Sequence, residues 1–429
     1  MKVFVTGATG LIGSAVCARL AADGHEVTAM SRAEGVGAQF TARRVARLDM
    51  AKALKPEDWL PHIEGHDAVV NCVGALQDSP RENVAAVHAA GAAALFAACE
   101  RLGIRRVIHF SAIGVDKAQP SAFSRTKLEG DRALMDRDLD WVILRPSVVL
   151  GGAVYGASAL FRGLAALPWL PLMRNTGELQ VVALDDVAAT VAFFVAPSAP
   201  SRLQLELAGP ERLSMADVIA HYRRWLGWPP ARPFLLPEWL STLLYRAGDL
   251  AGSLGWRPAM RSTAGKEIVR GAVGDPGPWT AATGIEPQSL ASQLAAHPAS
   301  VQERWFAKLF FLKAVIFVVL PFFWLATGIV SLTTGFGIGK ELMLDAGTGP
   351  LAGPGVVAGA LADILVGVAI AWRRTTRFGL YAALALSLFY VVAGTVLLPE
   401  LWNEPLGPLM KIWPIMALHL VGLAILDER

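Results

Sequence analysis

Apolar and polar positions follow two different rules in the two ends of this chain. Near the N-terminus, short apolar runs take turns with amphipathic stretches. Lys2–Thr6 is a continuous apolar run of strand length, and a helical pattern then runs through Ala22. Asp23-Gly24 stops that helix, and residues 25–30 predict a second strand. Residues 45–48, 68–74, 106–110 and 141–144 predict further strands, with an alanine-rich helix over 84–102 closed by Gly103. Strands alternating with helices predict a doubly wound parallel sheet over residues 1–150.

After residue 305 the strand-length runs give way to much longer ones. Four apolar stretches, about residues 309–332, 352–372, 378–398 and 406–426, each have roughly the length that crosses a ~30 Å hydrocarbon core. They predict an all-α bundle of four transmembrane helices within residues 305–429. Lys313, Asp363 and Lys411 are the charges inside these windows. Asp363 lies deep in its span, so it is expected to face the bundle. Two readings stay open for it: a proton or quinone site shared with His419, or a polar contact between helices. Arg373, Arg374 and Arg377 fill the second loop, and Arg304 and Lys308 precede the first span. The excess of basic residues places the N-terminal half, that loop and the C-terminus on the cytoplasmic side of a multi-pass inner-membrane protein.

Composition agrees with this division. Charged residues make up 17% of the 429 positions, against about 25% in a typical soluble domain. Only 13 charges fall in residues 314–429, and 62 in the 313 residues before them. A net charge of +3 is too small to argue for nucleic-acid binding. Cys17, Cys72 and Cys99 are an odd set in apolar contexts, as expected for buried thiols in a reducing compartment. No secretory h-region with a cleavage site opens the chain, so the first half is expected to stay cytoplasmic. The scattered histidines have no metal-ligand spacing, and no metal site is expected.

The candidate chemistry begins at Gly7-Ala8-Thr9-Gly10-Leu11-Ile12-Gly13, between the first strand and the first helix. Glycines there let the backbone approach a pyrophosphate, and the helix N-terminus supplies N–H groups and positive dipole. Gly7, Thr9, Gly10, Leu11, Ile12 and Gly13 are therefore expected to bind a dinucleotide. A carboxylate usually ends the second strand where NAD is selected. Here Ser31-Arg32 stands there, and Arg32 is placed to grip a 2′-phosphate, favouring NADP with NAD as the alternative. Ligands of such sheets lie beyond the C-terminal strand ends. Asp49, Val73, Gly74, Ser111 and Pro146 all fall at such ends and should rim one crevice.

The segments V-T-G-A-T-G-L-I-G, V-V-N-C-V-G, R-V-I-H-F-S-A-I-G, F-S-R-T-K-L-E-G and V-I-L-R-P-S resemble atypical, extended short-chain dehydrogenase/reductases over about residues 1–300. Similarity is greatest to the NAD(P)H-binding branch of NmrA-like proteins and the dehydrogenase-like accessory subunit of respiratory complex I. The resemblance implies an α/β Rossmann core (1–150) and a small α+β substrate-side region (151–300). The C-terminal spans resemble a DoxX-type membrane domain. It further implies catalytic roles for Ser111, which would orient a substrate carbonyl, and Lys127, which would hold the nicotinamide ribose. Phe123 occupies the position of the family's proton-donating Tyr. No tyrosine elsewhere has Lys four residues on. Two readings follow. One is a membrane-anchored oxidoreductase using NADPH on a small apolar or quinone-like substrate. The other is a non-catalytic dinucleotide sensor or assembly module. The lipid bilayer is the expected partner, a second membrane protein a further candidate, and nucleic acid is not expected. Residues 229–239 and 243–256 are rich in Trp and Leu, fitting a substrate pocket, a membrane surface or ordinary core.

Overall fold

The computed structural model describes residues 1–32, 42–79 and 83–427. Two compact units form, Met1–Leu250 with Pro258–Ala307, and Ala251–Arg257 with Lys308–Arg429.

In the first unit, strands β1 (Lys2–Thr6), β2 (Glu26–Ser31), β3 (Arg44–Arg47), β4 (Ala68–Asn71), β5 (Arg106–Phe110) and β6 (Asp140–Pro146) join Leu203–Leu207 in a seven-stranded sheet. Every neighbouring pair is parallel. The order is Leu203–Leu207, β6, β5, β4, β1, β2, β3. Helices α1 (Leu11–Ala22), α2 (Leu60–Ile63), α3 (Gly91–Arg101) and α4 (Ala122–Met135) connect the strands. Successive β1 residues feed opposite cores. Val3 and Val5 pack with Val16 and Leu20 of α1, while Phe4 packs with Trp59, Leu95 and Phe96. Burial on both faces is why inner strands such as β1 and β4 read as nearly unbroken apolar runs. Chain direction across the sheet reverses at β1, since β2 lies on one side and β4 on the other. The strand ends around that reversal frame the crevice.

Three details differ from the sequence pattern. Strand β4 stops at Asn71, because its side-chain carbonyl turns to accept from Thr6 Oγ1 at 2.7 Å and Val73 N–H at 3.3 Å. The 84–102 helix is not uniform: Ala86–Ala90 winds as a π-helical turn before α3. Leu203–Leu207 adds a seventh strand that short runs of leucine did not reveal. Residues beyond β6 add two small parallel sheets, Val149–Leu150 with Val182–Ala183 and Trp169–Leu172 with Arg232–Leu235, plus helices such as Met215–Trp225 capped by Ser214.

The second unit is helical. Val301–Leu332 begins before its boundary, and Ala352–Ala371 and Thr376–Leu397 follow. These three are long and apolar enough to cross a membrane. The fourth expected span is corrected: its helix covers only Ile412–Ile425, 14 residues. Pro405, Gly407 and Pro408 keep the preceding residues out of it. Phe336–Asp345 adds a helix that was not expected. Arg373 donates to Leu426 O and Asp427, and Arg377 also pairs with Asp427. The second loop and the last described residues therefore lie at one end of this unit. Apolar side chains cover its outside, with Phe322, Leu365, Phe378 and Val396 each more than two-thirds exposed. An aqueous bundle would hide them. Asp363 accepts from Tyr390 Oη at 2.9 Å. His419 accepts from Trp324 Nε1 at 2.9 Å and meets Ile415 O at 2.6 Å. No hydrogen bond joins Asp363 to His419 among the described residues.

Gly7 has φ +64°, and a Cβ there would sit 2.8 Å from the Cys72 carbonyl carbon. A Cβ on Gly13 would lie 2.2 Å from Gly7 O. Gly13→Val should therefore force α1 off β1, at a cost of at least about 2 kcal/mol. A clear drop in the thermal midpoint of the purified chain is expected; an unchanged midpoint would refute the close approach.

Candidate functional site

Beyond β1 the chain turns sharply through Gly7 and enters α1 at Gly10, whose N–H bonds Gly7 O at 2.9 Å. No side chain caps α1 and no acidic residue occupies its first turn. The first N–H groups, those of Leu11, Ile12 and Gly13, have no partner inside a helix. Gly7 and Gly13 leave room that any Cβ would fill. This cradle fits a pyrophosphate. Thr9 lies within it and accepts from Tyr155 Oη at 3.4 Å.

Next to the cradle, Lys127 enters from α4. Its ammonium donates to Phe110 O at 2.7 Å and Val73 O at 3.2 Å, bridging the ends of β5 and β4. A Cβ on Gly74 would be 3.7 Å from this nitrogen, so the glycine keeps the approach open. An ammonium has three donors, which leaves one for a ligand hydroxyl. Burial lowers the Lys127 pKa to about 8, against the opposing pull of Asp131. The Phe123 ring stands edge-on to His88, 5.6 Å between centroids. His88 accepts from Ala75 N–H at 3.0 Å and meets Thr126 Oγ1 at 3.0 Å. Burial pushes its pKa down to about 2, so it is neutral.

Beneath this floor lies a buried polar network. Asp131 accepts from Ser111 Oγ at 2.9 Å and from Arg145 Nη2 at 3.0 Å and Nε at 3.2 Å. Burial raises the Asp131 pKa, and Arg145 and Ser111 pull it back. Its other oxygen faces His109 Nε2 at 3.5 Å. His109 Nδ1 meets Asn71 Nδ2 at 3.1 Å, which leaves the Nε2 proton directed at the carboxylate. The Ser111 hydroxyl thus donates its proton inward. Pro146 ends β6 and accepts from Ile113 N–H at 3.1 Å.

At the ends of β2 and β3, Arg32, Arg47, Asp49, Lys52 and Asp58 line a cleft of about 500 Å³. Asp49 also caps its own turn, accepting from Ala51 N–H at 3.1 Å. Among the described residues the cleft lining holds three cations and two carboxylates.

The structure therefore brings Gly7, Thr9, Gly10, Leu11, Ile12, Gly13, Val73, Gly74, Ser111, Lys127 and Pro146 to one edge of the sheet, with Arg32 and Asp49 just beyond the ends of the neighbouring strands β2 and β3. Sequence reasoning missed Asp131, His88, Asn71 and His109. Asp131 stands four residues after Lys127 on the same helical face, which was a readable signal. The others had none, since single buried histidines and asparagines are common core residues.

Residues 7–163 match the NAD(P)H-binding family, and residues 321–420 match the DoxX-like family. Among characterised proteins, the chain is 29% identical to a 3-diazoavenalumate denitrifying reductase of Streptomyces over 60% of this chain and 96% of that one. It is 26% identical to ceramide reductase of Caulobacter vibrioides over 45% of this chain and 60% of that protein. Among solved structures, the Bordetella bronchiseptica enzyme WbmG in complex with NAD superposes with a TM-score of 0.54 at 16% identity, covering 72% of this chain and 96% of that one. UDP-glucuronic acid 4-epimerase from Bacillus cereus, in complex with UDP-glucuronic acid and NAD, gives 0.54 at 18% identity, over 72% and 100%. At these identities the structures share the fold.

Asp131→Leu would leave Arg145 buried with one carboxylate, that of Asp116 at 2.8 Å, where it had two. Breaking a buried pair outright costs about 3–5 kcal/mol, and Asp116 offsets part of that here. The variant is expected to melt markedly lower than the parent, and Asp131→Leu with Arg145→Met should recover part of the loss. No recovery would show that the pair is not what seats α4.

Proposed function

We propose that this chain, an NAD(P)H-binding domain joined to a DoxX-like membrane domain, is a membrane-anchored reductase. It uses NADPH to reduce a small apolar, quinone-like or lipidic substrate. The observation that carries the reading is Lys127, held at the strand ends beside Gly74 with a donor to spare at a cost in desolvation. Two reductases among the relatives support the reaction class, and one of them is named for a lipid, ceramide. The Arg32, Arg47 and Lys52 cleft supports NADPH over NADH through its fit to a 2′-phosphate. In this reading, the domain, the second loop and the C-terminus face the cytoplasm across the inner membrane.

In this site the α1 N-terminus holds the pyrophosphate, Lys127 the nicotinamide ribose, and Arg32 with Lys52 the 2′-phosphate. When bound, the dinucleotide supplies a hydride. The chain's own residues orient the acceptor and keep the pocket dry. Phe123 has no proton to give, and Ser111 commits its own to Asp131. Reduction of an isolated carbonyl leaves an alkoxide, which demands a positioned acid. A reduced quinone leaves a much weaker base, which water protonates. Phe123 therefore points to a quinone-like acceptor.

The test is titration of the purified full chain with NADPH and NADH, followed by turnover with quinone and carbonyl acceptors. NADPH is expected to bind more tightly, with Arg32→Ala abolishing most of the difference, and quinone reduction is expected to exceed carbonyl reduction. Lys127→Met should lower kcat/KM by ~100-fold or more. Because the Lys127 cation is the binding form and its pKa is lowered to about 8, kcat/KM should fall as pH rises through 8. Phe123→Tyr should raise carbonyl turnover and leave quinone turnover nearly unchanged. Tight nucleotide binding with no turnover of any acceptor would overturn the reductase. It would establish the second reading that Phe123 favours, a dinucleotide-sensing or assembly module.

A further inference from the structure

The helix Glu238–Ser253 is turned inside out for a water-facing element. Trp239, Leu243, Arg246 and Leu250 follow one another at i, i+4, i+7 and i+11, one helical face. Trp239 is 69% exposed, Leu243 54% and Leu250 65%. The opposite face, with Gly248 and Tyr245, packs inward. A surface helix of a soluble protein puts its apolar stripe on the core; here large apolar side chains point out. The strand just before it continues the patch, with Leu235 58% and Phe234 43% exposed. Trp169 on the paired strand is 58% exposed, with the Arg232 guanidinium 5.5 Å from its ring.

Cations border this apolar surface. A cleft of about 410 Å³ beside the helix is lined by Arg174, Arg246 and Lys266, with Met173, Tyr245 and Val269 among its apolar walls. Glu238 is the one carboxylate on it. Among the described residues, none of these three cations forms an ion pair or hydrogen bond. Asn175, on the same rim, has φ +59°, a backbone that side chains rarely adopt.

We propose that this face, from Trp169 and Phe234 to Leu250, is a docking surface for the headgroup layer of an anionic bilayer. Trp239, Leu243 and Leu250 enter the interface, and Arg174, Arg246 and Lys266 hold lipid phosphates. Exposed tryptophan and leucine bordered by basic residues is the composition of interfacial helices. The occupant is lipid because the cations match anionic headgroups, and because this same chain carries three helices of membrane-crossing length. The inference does not depend on the reductase reading, since it requires neither cofactor nor turnover.

The test uses the full chain in nanodiscs, one copy per disc, with a nitroxide at Leu243→Cys and a control label at Glu129→Cys, an exposed position on α4. Native Cys17 and Cys99 are buried, and half-buried Cys72 is replaced by Ala in both labelled chains. In discs of phosphatidylcholine with phosphatidylglycerol, the Leu243→Cys label should be open to oxygen and shielded from a water-soluble nickel chelate, and the Glu129→Cys label should stay open to the chelate. Adding Arg246→Glu and Lys266→Glu should lower the ratio of docked to undocked chains on the order of 30-fold, at an unchanged melting temperature. A Leu243→Cys label open to the chelate in anionic discs would overturn the proposal. So would shielding that arises only with two copies per disc, which would assign the face to a second copy, or shielding indifferent to lipid charge.

Discussion

Everything at the candidate site hangs on one buried ion pair. Asp131 has no solvent exposure and Arg145 almost none; both charges have left water, Asp131 held by Arg145 and Arg145 by Asp131 together with Asp116. The pair fastens α4 to β6 at the edge where the strands end. Ser111 and His109 complete it from β5, and Asn71 with Thr6 extends it to β4 and β1. Remove any member and a polar group is stranded at a depth where stranding costs most. The consequence for chemistry is geometric. Lys127 lies one helical turn before Asp131, so the anchor that places the carboxylate also places the ammonium against the Phe110 and Val73 carbonyls.

This arrangement explains which parts of the protein were legible in sequence. The glycine turn was legible because its glycines do backbone work that no other residue can do. Gly7 takes a positive φ and Gly13 lets two backbones touch. The inner strands were legible because both faces are buried, so apolar residues run nearly without a break. Asp131 was not read, because its role exists only when β6 brings Arg145 beside it, 14 positions along the chain. His88 was hidden for a related reason: the π-helical turn that aims it at Ala75 leaves no mark in an alanine-rich segment. The strand Leu203–Leu207 has the alternation of a half-buried strand, but it is short and follows a proline-rich loop. The fourth apolar stretch was overread, since hydropathy does not count the prolines that delay the start of its helix.

Phe123 shows the opposite limit. Its identity was plain in the sequence and its meaning was not. In the structure its ring packs edge-on against His88, whose two nitrogens are already engaged by Ala75 and Thr126. No neighbouring acid stands in for a phenol at this position among the described hydrogen bonds. The site is thus strong in holding and orienting groups and poor in protons. In the proposed reaction, that asymmetry favours acceptors whose reduced form needs no positioned acid.

The last helix has a further implication, for how the protein is made. Fourteen residues rise about 21 Å, short of the ~30 Å of hydrocarbon that a lone helix must cross. His419 on it is wholly buried and bonded to Trp324, which was synthesised nearly a hundred residues earlier. The Asp427 carboxylate beyond it pairs with arginines of an earlier loop. Such a segment has little reason to leave the translocation machinery for lipid by itself. Its place in the bundle is fixed by contacts with helices made before it, so the polar side chains order this assembly as much as the hydrophobic ones do.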